Sequence, residues 1–296
     1  MVTQRMRGRR LVSVTLGLLI ALWAGHLDAV QERPVRIGIT AVVLENQVRL
    51  LEHWKDFLED ELGREVQLVR RNNYGEIVEL ALRGRVDFAW ICGLPYVLHQ
   101  NSLDLLATAL YRGEPLYRSY FIVPASDDST ENLLDLNGGI FAFSDPNSNS
   151  GWLYPEYVLH QDGTDSESHF DQTFYTWGHR RVVEAVAGRL AEGGAVDGYV
   201  WDTLSRSDPD LTARTRVVTR SDPFGFPPIV ATAAADDGMR TALRSVLLGM
   251  SEDTRGRGIL KEMNLDGFVE VDPSLYDSIE RLSREVANHQ ELPVRR

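Results

Sequence analysis

The segment FSDPNSNSGWLYP, Phe143 to Pro155, sets small hydrogen-bonding side chains directly before an apolar helical run. A strand ends at Ser144, and the Asp, Pro and Asn that follow mark a turn. Ser148, Asn149 and Ser150 then precede Gly151 at the start of a helix. The first N–H groups of a helix have no intrahelical acceptor, and that end of the helix is positive. Two rotatable hydroxyls and an amide beside such an end can hold an anion. Plain N-capping is the alternative, because Ser and Asn are favoured caps. One cap needs one such residue, and here three stand in a row.

Other chemistry is absent. The chain has no Walker loop, no G-x-G-x-x-G after its first strand, no H-E-x-x-H and no G-x-S-x-G. The seven histidines show no metal-ligand spacing. Asp127-Asp128 and Asp236-Asp237 lie in turn contexts and read as solvated loop charges. Nothing pairs a nucleophile with a base, so neither enzymatic activity nor a cofactor or metal is expected. The single cysteine, Cys92, excludes an internal disulfide framework. It lies in WICGLPYV, at the end of a strand and just before Tyr96. It reads either as a small buried hydrophobe or as a soft ligand for an arsenite-like oxyanion.

Charge constrains the partner. The chain carries a formal net charge of -12, which argues against nucleic acid and anionic membranes. Any anion must therefore be held by local donors. Arg5, Arg7, Arg9 and Arg10 precede an apolar run from Leu11 to Ala24, the pattern of an export signal with cleavage expected near Ala29. An uncleaved anchor is the alternative, although the run is short for a membrane span. Loss of residues 1–29 makes the remainder more acidic still.

Short apolar strands alternate with amphipathic helices along the rest of the chain. Val35–Thr40, Val66–Arg70 and Val86–Ile91 read as strands, separated by helices over Leu44–Leu62 and from Tyr74 to near Gly84. A second βα series begins at Gly139–Asp145 and includes a helix over Arg180–Leu190 and a strand at Val196–Trp201. Tyr120–Pro124 and Pro228–Ala234 read as strands that leave and re-enter the first unit. The order implies an α/β protein of two lobes with parallel sheets and a cleft at the strands' carboxyl ends. Residues 30–122 and 229–296 would form one lobe and residues 123–228 the other.

Several segments, in order, resemble one family. They are NYGEIVELALRGRVDFAW (Asn73–Trp90), DPNSNSGWLYP (Asp145–Pro155), YTWGHRRVVEAVAGR (Tyr175–Arg189), VDGYVWD (Val196–Asp202) and LDGFVEVDPSLYDSIERL (Leu265–Leu282). Together they are similar to the periplasmic phosphonate-, phosphite- and phosphate-binding proteins of ABC transporters, over nearly the whole chain past the export signal. The resemblance implies a type II periplasmic-binding-protein fold, two lobes joined by two crossing strands. It implies oxyanion contacts from Ser148, Asn149, Ser150 and Gly151, where Asn149 stands for the family's Thr. Tyr74, Tyr117 and His179 match further ligand-binding positions, and His179 would donate as an imidazolium. Tyr96 and Asp202 are expected at the cleft, Asp202 to accept from an amine on the ligand. The partner would be the membrane permease of an ABC importer, and the protein a periplasmic monomer. A sensor that signals to the periplasmic domain of a histidine kinase is the alternative.

Overall fold

The computed structural model describes residues 33–40 and 48–288. The export signal, its cleavage point and the expected helix start at Leu44 lie outside the described residues.

The first unit opens with strand β1 (Val35–Ile39), helix α1 (Val48–Leu62), β2 (Val66–Arg70), α2 (Tyr74–Leu82), β3 (Phe88–Trp90), α3 (Gly93–His99) and β4 (Asp104–Leu110). A short β5 (Leu116–Tyr117) leads to β6 (Ser119–Pro124). The second unit continues through β7 (Ile140–Phe143), α4 (Tyr154–Gln161), α5 (Ser166–His169), β8 (Gln172–Tyr175), α6 (His179–Ala187), β9 (Gly193–Asp197), α7 (Gly198–Ser207), α8 (Pro209–Thr212) and β10 (Thr215–Arg220). The chain returns through β11 (Phe224–Gly225) to β12 (Pro228–Ala231), α9 (Asp237–Gly249), α10 (Thr254–Met263), β13 (Gly267–Val269) and α11 (Asp277–Ala287).

Two mixed sheets result. In the first, β1 lies between β2 and β3 and runs parallel to both. The returning β12 inserts antiparallel between β3 and β4, and β13 closes the edge. In the second, β7 runs parallel to β8 and β9, while β6 runs antiparallel to β9 and β10. Between the sheets, β5 and β11 pair antiparallel, Tyr117 opposite Phe224. This two-stranded ribbon carries both crossings. The expected crossing strands are β6, wholly in the second sheet from Ser119 onward, and β12, wholly in the first.

Hydrophobic periodicity accounts for the helices that cover the sheets. Helix α1 buries Leu50, Leu51, Trp54, Phe57 and Leu58, the stripe of an amphipathic helix. Trp54 packs on Trp90 with ring centroids 5.5 Å apart. Strand β3 is buried along its length, as expected of a strand covered on both faces. In the second unit, Val182, Val183 and Val186 of α6 pack with Ile122, Ala142 and Val196. The expected strand Val196–Trp201 is corrected: β9 stops at Asp197 and α7 begins at Gly198. The reason is local. Asp197 Oδ1 accepts from the Tyr199 N–H at 2.8 Å and the Val200 N–H at 3.4 Å, an N-cap that outweighs the β-propensity of the residues after it.

Candidate functional site

Strand β7 ends at Phe143, and the chain turns over Asp145–Asn147. Asp145 Oδ1 accepts from the Asn147 N–H at 2.8 Å, and its carbonyl from the Ser148 N–H at 2.9 Å. Ser148 is extended, and its Oγ accepts from the Gly151 N–H at 2.9 Å. One π-helical turn follows, Asn149–Leu153, and runs directly into α4. Such turns are frequent at functional sites. Ser144 donates its N–H to the Gly151 carbonyl at 3.2 Å, which pins the helix start to the strand end. A Cβ on residue 151 would lie 1.9 Å from Ser144 Oγ and 3.1 Å from His179 Cε1. Glycine is what lets strand end, helix start and imidazole meet.

His179 begins α6. The residues before it are unusual: Trp177 holds a left-handed backbone at φ 62° and stands half-exposed against Tyr175, ring centroids 5.8 Å apart. A bulky residue at positive φ is strained, and this one sits where the chain turns toward the cleft. The Asp197 N–H donates to His179 Nδ1 at 3.1 Å. Nδ1 is therefore the acceptor, and a neutral ring carries its proton on Nε2. Burial holds the imidazole down to a pKa of about 3. His179 is thus a neutral N–H donor in place of the expected imidazolium.

Ser144, Ser148, Asn149 and His179 are fully buried, and Ser150 is 1% exposed. Four polar atoms here have no hydrogen-bond partner among the described residues: Ser144 Oγ, Asn149 Oδ1, Ser150 Oγ and His179 Nε2. Folded proteins pair nearly all their buried polar groups, and each unpaired one costs about 1–3 kcal/mol. Four around a single helix start are an unusual concentration of unmet hydrogen-bonding capacity.

The other lobe closes over this turn. The Tyr74 N–H donates to Asp145 Oδ2 at 3.0 Å, and the Tyr74 ring meets His179 edge-on with centroids 6.5 Å apart. The Asn149 N–H donates to Cys92 Sγ at 3.3 Å, and Asn149 Nδ2 to Tyr117 Oη at 2.9 Å. From the turn's own sheet, Ser119 Oγ of β6 donates to the Ser150 carbonyl at 2.7 Å. Cys92 is 2% exposed, and burial pushes its thiol up to about 11. It is a protonated acceptor for the loop backbone, not a thiolate.

Tyr96 and Asp202, both expected at the cleft, are engaged with other side chains of the protein. Tyr96 packs against Tyr276, ring centroids 4.8 Å apart. Asp202 is one turn along α7, and its carboxylate is already engaged. It accepts from Tyr111 Oη at 2.7 Å and Tyr120 Oη at 3.1 Å and pairs with Arg112 at 3.0 Å. Tyr111 and Arg112 follow β4 of the first sheet, so Asp202 ties the two lobes together. Ser119, Ser144, Asp145 and Asp197 were not singled out in the sequence. The legible signal was their position: each closes or opens a strand beside a motif that was.

Two buried carboxyls flank the turn. Burial raises Asp145 above its usual range and pushes Asp197 up to about 8. An aspartate in an unfolded chain titrates near ~3.9. Across the interval the folded state keeps a proton that the unfolded state has lost. Stability present below pH ~4 is therefore lost as pH rises toward about 8, at ~1.4 kcal/mol per pH unit for this group. Asp197→Asn keeps the Oδ1 acceptor for the α7 cap and removes the titration. Calorimetric scans should show a higher Tm at alkaline pH and a flatter dependence of Tm on pH. An unchanged slope would contradict the assignment.

Known proteins share this architecture. Residues 37–276 match the family described as ABC transporter, phosphonate, periplasmic substrate-binding protein. The chain is 30% identical over 248 residues to the phosphonates-binding periplasmic protein of Escherichia coli, covering 80% of this chain and 72% of that protein. Among solved structures, it superposes with TM-score 0.79 on a binding-protein component of an ABC phosphonate transporter from Pseudomonas aeruginosa. That match has 20% identity and covers 88% of this chain and 90% of the other. PhnD1 of Prochlorococcus marinus, solved in complex with methylphosphonate, superposes with TM-score 0.75 and 22% identity over 85% of this chain and 97% of its own. These two likenesses establish the fold, that of two-lobed periplasmic binding proteins. No helix among the described residues is long and apolar enough to cross a membrane. The family match covers most of the chain, and the protein belongs to the periplasmic substrate-binding proteins of phosphonate ABC transporters, which bind their solutes and do not transform them.

Proposed function

We propose that this protein captures a small phosphorus oxyanion, a phosphonate, phosphite or phosphate, between its lobes and delivers it to the membrane permease of an ABC importer. One observation carries the reading: four buried, partnerless polar atoms surround the start of one helix. Ser148 and Ser150 would donate through their hydroxyls, joined by Ser144 Oγ and His179 Nε2–H. The positive end of the helix adds to them. Tyr74 reaches the same turn from the other lobe and Tyr117 from the ribbon between the sheets. Hydrogen bonds to an ionised oxygen are the strong kind, and several are needed to replace the water an anion loses. The family membership and the ligands named for its relatives support phosphorus over other oxyanions.

Asp202 acts on closure in this scheme. Its bonds to Tyr111 and Arg112 exist only when the lobes meet, so they shift the population toward the closed form in which all ligand contacts are made.

Thermal unfolding with a panel of methylphosphonate, phosphite, phosphate, sulfate and arsenite tests the proposal. A ligand at one hundred times its Kd stabilises by ~2.7 kcal/mol, which raises Tm by roughly 5–10 °C in a protein of this size. A phosphorus oxyanion should give the largest rise. No rise with any of the three phosphorus compounds would refute the reading.

A further inference from the structure

We infer that the cleft takes its oxyanion in the singly charged form that still carries an acid proton, and that Asn149 Oδ1 accepts that proton. The inference rests on the oxyanion reading above and narrows it to one protonation state.

Two independent features carry it. The first is charge. The groups that face the turn are Asp145 after β7, His179 of α6, Asp197 of β9, Cys92 before α3, Tyr74 of α2 and Tyr117 of β5. None is a lysine or arginine. His179 accepts a backbone N–H at Nδ1, so its ring is neutral there. Cys92 is a buried thiol. Asp145 and Asp197 are buried acids, and Asp197 is the cross-strand partner of Ser119, whose Oγ donates to the Ser150 carbonyl. A doubly charged oxyanion would lose its hydration shell next to two carboxyls, with no side-chain cation among the described residues at the turn to offset it. A singly charged one meets only neutral donors.

The second feature is an acceptor among donors. Asn149 Nδ2 donates to Tyr117 Oη, which fixes the amide and leaves Oδ1 buried without a partner. A bare oxyanion oxygen cannot satisfy a carbonyl, because both offer only lone pairs. A P–OH group can. Hydroxyls and imidazole N–H then serve the ionised oxygens while Oδ1 serves the protonated one. With the amide reversed, Tyr117 would donate to Oδ1, Nδ2 would face the ligand, and the turn would present donors alone. The two arrangements predict opposite behaviour with pH.

Titration calorimetry with methylphosphonate on either side of its second ionisation, which lies near neutrality, separates them. Above that ionisation, affinity should fall about tenfold per pH unit, in step with loss of the protonated ligand. The fall should persist in Asp197→Asn, where the protein's own titration in that window is removed. At the acid end, methanesulfonate, singly charged and without an acid proton, should bind at least about tenfold more weakly than methylphosphonate. In Asn149→Ala that preference should shrink. Affinity that is flat or rises through the ionisation would overturn the inference. So would equal binding of methanesulfonate, or a preference that survives intact in Asn149→Ala. Absence of methylphosphonate binding at every pH would instead refute the oxyanion reading itself.

Discussion

Calorimetry on the Ser148→Ala/Ser150→Ala variant is expected to show affinity for methylphosphonate reduced at least a hundredfold, with the protein still folded. Each hydroxyl lost from an anion removes a charge-assisted hydrogen bond worth about 1.5–3 kcal/mol, and two together exceed ~3 kcal/mol. The stability consequence differs between the two positions. Ser148 Oγ caps the Gly151 N–H, so its loss costs about 1 kcal/mol. Ser150 Oγ is buried with no partner, so Ser150→Ala relieves an unsatisfied group and should leave the ligand-free protein as stable or slightly more so. Gain of stability with loss of binding is the signature of a side chain kept for a ligand. If Ser150→Ala destabilised the free protein by several kcal/mol and left affinity unchanged, the hydroxyl would be structural.

Gly151→Ala should abolish binding more completely by the addition of one carbon. Its Cβ would stand 2.7 Å from Ser144 Cβ as well as 1.9 Å from the hydroxyl. Rotation of Ser144 relieves the second contact but not the first. The helix start must move away from the strand end, which breaks the Ser144 N–H bond to the Gly151 carbonyl and displaces the donors from one another. Overpacking of this kind costs about 1–3 kcal/mol, a fall of a few degrees in Tm. Adding Ser144→Gly to Gly151→Ala removes the atoms in conflict and should restore most of the lost Tm, while binding returns only in part because Ser144 Oγ is gone. Calorimetry and thermal unfolding of the single and double variants check both. Full affinity in Gly151→Ala alone would show that the turn is looser than described.

Much of this was legible from residue order. Apolar periodicity located α1, α2 and α6, because each presents a continuous stripe to a sheet. The Ser-Asn-Ser-Gly run marked the proposed anion turn, because a cap needs one such residue and three stand in a row. Other features depend on contacts distant in sequence. Helix α10 carries Gly256 and Gly258, poor helix formers, and is started by the Asp253 cap on the Gly256 N–H. Strands β10 and β13 are edge strands that gain their identity from β6 and β4. The role of Asp202 depended on α7 beginning at Gly198, which a single cap at Asp197 decides. The tautomer of His179 depended on the backbone N–H of Asp197, far along the chain, and no local pattern reports it. The pairing of Asn149 with both Cys92 and Tyr117 requires the lobes to be closed, a property of the ribbon and not of any segment.

A crystal structure of the protein with bound methylphosphonate tests the central claim most directly. The account predicts the phosphonate group between the lobes, its oxygens within hydrogen-bond distance of Ser148 Oγ, Ser150 Oγ and His179 Nε2. A ligand bound elsewhere, with Ser150 Oγ and His179 Nε2 still buried and unpaired, would contradict it.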